Sequence, residues 1–381
     1  MRILFIIDKM KNYAGIERIL TCKMNYLSNI TKNKIFLCTY EQQSQELPFP
    51  LDEKITYRPI NIPIPQRENN TFTRWIGSYI TARLKFSKQF QRLLNDIHPN
   101  IVVSTVYSYQ VLDIIIKTCH HLGVKTIMES HTKGETITFA RKFSYNNLLY
   151  YLFSLFDNHI MKSLKYCQCV VTLTKQDISF WEKYAQHIEV IPNMLTITPK
   201  RVTNYEVKRV ITAGRYMTEK GFDRLIEAWS LIDEKYSDWE LYIWGNGDIT
   251  PYQQLVNQYK INNNVHLMPA TDDIAEEFSK CSIYVMSSRY EGFGLVLAEA
   301  MSCGLPCISF DCPYGPRVII SDGEDGLLVE NGNIKDLVRK IESLMANPKL
   351  RETMGSMAIK NISRFNPHTI MSKWINLFNH I

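Results

Sequence analysis

Short apolar runs alternate with amphipathic stretches along most of the chain. "RILFII", "KIFLCTY", "IVVSTV", "KTIMES" and "CVVTLT" mark the first half, and after residue 205 the same grammar restarts with "KRVITAG", "WELYIWG", "VHLMPA", "SIYVMSS" and "PCISFD". Runs this short, rich in Val, Ile and aromatic residues, read as strands and not as buried helices. Between them "GFDRLIEAWSLIDEKY" and "DIAEEFSKC" carry helical spacing. Such alternation predicts right-handed βαβ units and parallel sheets covered on both faces. At 381 residues the chain outgrows one ordinary core, so the pattern predicts two doubly wound domains. Their expected bounds are 1–195 and 196–365, with "IPNMLTITPKRVTNYEVK" as the linker because it holds two prolines and no periodicity. A last helix, 366–381, follows from "NPHTIMSKWINLFNHI"; the pattern leaves its docking partner open, the first domain being one choice.

Composition narrows the class. Apolar residues make up 45% and charged residues 22%, as in an ordinary folded domain. The apolar run near the amino terminus stops at Asp8 without a small-residue cleavage site, so no secretory signal is expected. No stretch reaches the roughly 18 apolar residues of a membrane span. Nine cysteines, among them Cys38 and Cys303 at predicted core positions, read as reduced thiols of a cytoplasmic protein. Cys119-His120-His121 and Cys167-Gln168-Cys169 lack a second half with zinc spacing, so no metal is expected. The net charge of +6 is uneven: residues 1–195 hold 24 Lys and Arg against 15 Asp and Glu, whereas residues 196–381 hold 20 against 23. A uniformly basic chain would suggest nucleic acid. This asymmetry suggests instead that one domain faces an anionic surface or acceptor, with no nucleic acid as partner.

In open α/β sheets ligands sit beyond the carboxyl ends of the strands. The residues to watch are therefore Asp8 to Gly15, His131, Gly214 to Lys220, Gly245 to Gly247, and the stretch "SSRYEGFGLVLAEAMSCGLP". In that stretch Glu291 and Glu299 flank Gly292, Phe293 and Gly294 at the start of a predicted helix. The N–H groups of Gly294, Leu295 and Val296 would lie unpaired there, a good place for phosphate. Paired carboxylates can also hydrolyse a glycosidic bond, at separations of roughly 5 to 9.5 Å. A phosphate-binding turn between them would serve no purpose in that reaction. "WGNGD" is an incomplete G-x-G-x-x-G without a third glycine. Gly245 is read as part of a turn that lines a base pocket at most, and a nicotinamide site is not expected.

The "EGFGLVLAEA" segment resembles the E-x7-E motif of retaining family-4 glycosyltransferases, which have the GT-B fold of two Rossmann-like domains facing each other across a cleft. "AGRYMTEKGFDRLIEAW" is similar to the phosphate loop of that family, "IPNM" to its interdomain entry, and "GPRVIISDGEDGLLV" to its late loop and strand. The resemblance spans the chain and is tightest over 187–330. It implies that Arg215 and Lys220 neutralise the donor diphosphate, as a fixed guanidinium and ammonium suit a growing negative charge. It further implies that Glu299 accepts from ribose and Glu291 holds the hydroxyls of the transferred sugar. His131 would contact donor sugar and phosphate, and Gly15 would let the backbone approach the diphosphate. Gly214, Gly245, Gly292, Phe293, Gly294, Leu295 and Val296 would complete the donor site. Two departures stand out: Ala14-Gly15 replaces the usual glycine pair, and Val318 stands where relatives carry an acid.

The function implied is a metal-independent retaining transfer of sugar from a nucleotide donor, a UDP-sugar, to a hydroxyl of a glycan or lipid-linked glycan, as in surface polysaccharide synthesis. The donor is substrate, and no cofactor is expected. Two alternatives are a sugar-nucleotide epimerase of the same fold and a non-catalytic nucleotide-sugar-binding partner. The epimerases lack the E-x7-E arrangement with a basic pair, and the intact Arg215, Lys220, Glu291 and Glu299 argue against the second. Arg74, Arg83, Lys85, Lys88 and Arg92 lie on one predicted helix, and "KGETITFARKFSYNNLLYYLFSLF" follows His131. Lysines with aromatics on amphipathic helices suit the anionic inner face of a membrane. A solvated helix face over an aromatic core is the other reading.

Overall fold

The computed structural model describes every residue except 11–14, 43–45, 66–71, 106–108, 133, 135–147 and 200. It divides into two compact units, Met1–Pro192 with Ile370–Ile381, and Asn193–Thr369. The strands of the first unit are β1 (Arg2–Ile7), β2 (Lys34–Thr39), β3 (Thr56–Tyr57), β4 (Ile101–Ser104), β5 (Lys125–Glu129), β6 (Cys169–Thr172) and β7 (Ile188–Val190). Those of the second are β8 (Arg209–Ala213), β9 (Glu240–Trp244), β10 (Val265–Met268), β11 (Ile283–Met286), β12 (Cys307–Phe310) and β13 (Gly326–Val329).

Both sheets are parallel, with orders β3-β2-β1-β4-β5-β6-β7 and β10-β9-β8-β11-β12-β13. Each is the doubly wound order, whose connections reverse direction beside the first strand. In the second unit that reversal lies between β8 and β11, where Ile283 pairs with Val210 and Tyr284 with Ile211. The central strands are apolar without interruption, because helices cover both their faces. Ile3 to Ile7 and Ile283 to Val285 have no exposure at all. Around β8 and β9 the core gathers Phe222, Leu225, Ile243, Phe310, Leu337 and Leu344. In the first unit Phe86 and Phe90 stack 5.6 Å apart on the long helix Phe72–Ile97.

One local reading needs correction, and the stretch expected as a linker is structured. The segment expected as one helix from Phe222 stops at Trp229, and a separate turn forms at Glu234–Tyr236. Asp233 accepts from the Lys235 N–H at 3.0 Å, so its side chain competes with helix continuation. The stretch expected as a linker is not loose beyond Asn193. Met194 and Thr203 are buried, the Leu195 N–H donates to Phe365 at 2.9 Å, and that of Thr203 to Cys303 at 3.1 Å. The Arg351 guanidinium, itself buried, donates to the Tyr205 carbonyl and to those of Leu344 and Met345. All these contacts lie within the second unit. Among the described residues no helix is long and apolar enough to cross a membrane.

Candidate active site

In the second unit the chain leaves β8 through Gly214, whose N–H donates to the Trp244 carbonyl at 2.9 Å. Gly245, just past β9, packs so closely that a Cβ there would lie 1.8 Å from the Gly214 carbonyl oxygen. No side chain fits, and the two loops can only approach with glycine at that position. Arg215 comes next, exposed and without an ion pair to any described residue. Tyr216 turns inward and donates to the Ile243 carbonyl at 2.6 Å, which anchors the loop beneath its charged neighbours.

The loop then returns to the end of β11. Ser287 Oγ donates to the Lys220 carbonyl at 3.1 Å, and the Arg289 N–H donates to that of Glu219 at 2.8 Å. The Arg289 guanidinium grips Asp223 with two hydrogen bonds, at 2.8 and 2.6 Å. Burial works against the Asp223 carboxylate, but Arg289 outweighs it and holds the carboxyl below its ordinary range. With the loop pinned this way, Lys220 Nζ donates to Glu291 Oε1 at 2.7 Å and Ser288 Oγ donates to the same oxygen at 2.6 Å. Both charged side chains keep some exposure, 24% for Lys220 and 12% for Glu291. Glu291 is held from its backbone too: its N–H donates to Pro313 and its carbonyl accepts from Tyr314, each at 2.9 Å.

Gly292 sits half-exposed after Glu291, and Phe293 is buried edge-on against Phe365, 5.2 Å between ring centroids. Gly294 takes φ +95°, a conformation L side chains rarely adopt, and ends the turn so that the helix Leu295–Ser302 can start at Leu295 and Val296. No side chain caps this terminus. Its first N–H groups have no partner within the helix, and the helix dipole adds positive potential there. Glu299 lies further along the same helix, fully buried, with Thr196 Oγ1 donating to its Oε1 at 2.5 Å. The structure thus gathers Gly214, Lys220, Gly245 and Glu291 around the reversal point of one sheet, with Ser288 and Thr196 as partners that the sequence reading did not name. Ser288 had a signal, being polar and three positions before Glu291. Thr196 had only its place in "IPNMLTIT".

In the first unit His131 follows β5, its side chain 4% exposed, with Nε2 3.2 Å from Glu129 Oε1. Gly15 opens the helix Gly15–Ile30 and is exposed; Ala14, its neighbour in the expected glycine loop, lies outside the described residues. Of the five basic residues read on the helix Phe72–Ile97, Arg83 is turned away from solvent. Its guanidinium grips Asp113 at 2.9 and 2.7 Å and is only 16% exposed. Arg74, Lys85, Lys88 and Arg92 are exposed. Residues 133 and 135–147 of the aromatic segment after His131 lie outside the described residues.

Residues 195–361 match the family model described as "Glycosyl transferases group 1". A glycosyltransferase of Haemophilus influenzae, itself uncharacterized, is 32% identical over 235 residues, which cover 59% of this chain and 67% of that one. The amylovoran biosynthesis glycosyltransferase AmsD of Erwinia amylovora is 23% identical over 99% of both chains. Among solved structures, a mutant of S. aureus TarM in complex with Fondaparinux, alpha-GlcNAc-glycerol and UDP superposes with TM-score 0.77 over 99% of both chains, at 16% identity. Two doubly wound parallel-sheet units, with a basic and acidic cluster at the reversal point of one, define a GT-B architecture. The chain belongs to the group 1 glycosyl transferases and is a glycosyltransferase.

Proposed function

We propose that this enzyme moves a sugar from a UDP-sugar to a hydroxyl of a glycan or lipid-linked glycan in surface polysaccharide synthesis, with retention of anomeric configuration and without a metal. The observation that carries the reading is the Lys220–Glu291–Ser288 cluster near Arg215, which has no ion pair with any described residue, at the reversal point where doubly wound sheets bind ligands. The naming of AmsD for amylovoran biosynthesis supports the polysaccharide reading, and the UDP held by TarM supports the nucleotide. The donor diphosphate takes Arg215, Lys220 and the helix terminus at Leu295, which supply positive field to the leaving group. As Lys220 turns to phosphate, Glu291 is released to accept from sugar hydroxyls, with Ser288 still steadying it. Glu299 accepts from ribose hydroxyls, the same kind of bond that Thr196 now gives it. His131 acts on the donor sugar and its phosphate.

The acceptor oxygen forms its bond to the anomeric carbon on the face from which the phosphate oxygen departs. The C–O bond to phosphate breaks, its electron pair stays with the diphosphate, and the acceptor proton passes to that leaving phosphate. A thermal-shift screen of UDP-, GDP- and ADP-sugars tests the donor class. A UDP-sugar at 100-fold over its Kd should add roughly 2.7 kcal/mol of stability. No shift with any nucleotide sugar would refute the reading.

The enzyme is also proposed to lie on the cytoplasmic face of an anionic membrane. The helix Phe72–Ile97 exposes Ile80 at 51% and Leu84 at 67% among Arg74, Lys85, Lys88 and Arg92. Flotation should recover the protein on anionic but not neutral vesicles, and less of it as salt rises. Equal recovery on both would return these residues to an ordinary solvated face.

A further inference from the structure

Beneath His131 lies a cluster of charge that the transfer reaction as described does not use. Glu129, at the end of β5, is 2% exposed, and Lys23, from the helix Gly15–Ile30, is 3% exposed. Lys23 Nζ donates to Glu129 Oε1, Thr105 Oγ1 donates to Oε2 at 3.1 Å, and His131 Nε2 stands 3.2 Å from Oε1. On its other side the Lys23 ammonium sits 3.9 Å from the centroid of the buried Trp374 ring. Burial works against the Glu129 carboxylate, yet Lys23 and then His131 outweigh it and hold the carboxyl well below its ordinary range. Stability alone does not account for the arrangement, because an apolar pair of similar volume commonly serves a core as well as a buried ion pair. An ionised carboxylate only accepts, so the contact with His131 requires the proton on Nε2. Neither ring nitrogen makes a well-aligned hydrogen bond to a described residue: Nε2 faces the Glu129 carboxylate at 3.2 Å, and Nδ1 has no polar partner there.

We propose that Glu129 is the positioning residue of His131: its carboxylate, facing Nε2, accepts from the Nε2–H and orients the ring so that Nδ1 is the working atom, while Lys23, backed by the Trp374 ring, keeps that carboxylate charged. The inference rests on the reading of His131 as a group that acts on the donor. Lys23 and Glu129 need not touch substrate; they act through the ring. The arrangement explains why a lysine is buried against an aromatic face in a unit whose other basic residues are largely exposed.

Two measurements test it. In the full-length protein carrying ¹⁵N-histidine, the His131 signal, assigned by its loss in His131→Ala, should report a proton on Nε2. A bare Nε2 with the proton on Nδ1 overturns the proposal, whatever the variants do. The second measurement is UDP release from UDP-glucose, UDP-galactose and UDP-N-acetylglucosamine, with folding checked by thermal melts. Lys23→Met/Glu129→Leu, which removes the acceptor and both charges together, should lower kcat about 10²-fold with little change in KM, as expected of a misplaced reacting group. Lys23→Met/Glu129→Gln restores a neutral acceptor and should recover most of that loss. In the His131→Ala background neither pair should have any further effect. Wild-type turnover in Lys23→Met/Glu129→Leu, with His131→Ala inactive, overturns the positioning role alone. Wild-type turnover in His131→Ala overturns the reading of His131 itself, and the positioning role with it.

Discussion

The two units handle charge in opposite ways. In the second, Lys220 and Glu291 pair beyond the strand ends with their side chains still partly exposed, and Arg215 nearby has no ion pair with any described residue. In the first, Lys23 and Glu129 are sealed in, surrounded by Thr105, His131 and the Trp374 ring. A partly exposed pair costs less to open than a buried one, because water and an incoming phosphate can replace each partner. A buried pair cannot exchange partners without leaving a naked charge in low dielectric. On the proposed reading, the contrast separates a cluster that changes partners on binding from one that keeps a ring still.

The largest expected effect lies in the buried cluster. Glu129→Ala leaves Lys23 unneutralised and should cost about 3–5 kcal/mol in chemical denaturation. Because the Glu129 carboxyl is depressed in the folded state, its contribution is present above the unfolded value of about 4.3 and fades as pH falls below it. The gap between variant and wild type should therefore shrink in acid. A gap that is small at neutral pH, or that widens in acid, would erase the distinction between the two clusters.

A smaller effect is expected from the open cluster, and it should appear in binding, not folding. Arg215→Ala and Lys220→Ala should each weaken UDP by roughly 1.5 to 3 kcal/mol in calorimetry, the value of a charge-assisted contact. Unchanged UDP affinity in both would take these residues out of the site. Smaller still on the nucleotide is Glu291→Gln, which should leave free UDP binding nearly intact while turnover falls. Collapse of UDP binding in that variant would mean the roles of Glu291 and Glu299 are exchanged.

The same contrast marks how far the sequence could be read. β1, β8 and β11 were legible because strands buried on both faces are continuous apolar runs. β3, two residues long, and β7, half-buried with Glu189 in its middle, lie toward or at the sheet edge and carry no such signature. Glu291, Gly294 and Lys220 were legible as motif residues just after strands. The Lys220–Glu291 bond itself spans 71 positions and the Lys23–Glu129 bond 106, and no local pattern announces either. Glu129 and Lys23 looked like ordinary members of a strand end and an amphipathic helix. Only the folded sheet, with its order β1-β4-β5, brings the middle of that helix against the end of β5.

The central claim is that Glu291 and Glu299 hold a sugar and a ribose on either side of a phosphate-binding turn and that neither attacks carbon. An NMR time course of the product's anomeric proton, run with the UDP-sugar that the screen selects, with and without EDTA, tests it most directly. An α-linked donor should give an α-linked product at the same rate in both samples, with no covalent glycosyl-enzyme trapped. A β-linked product, or activity abolished by the chelator, would contradict the account.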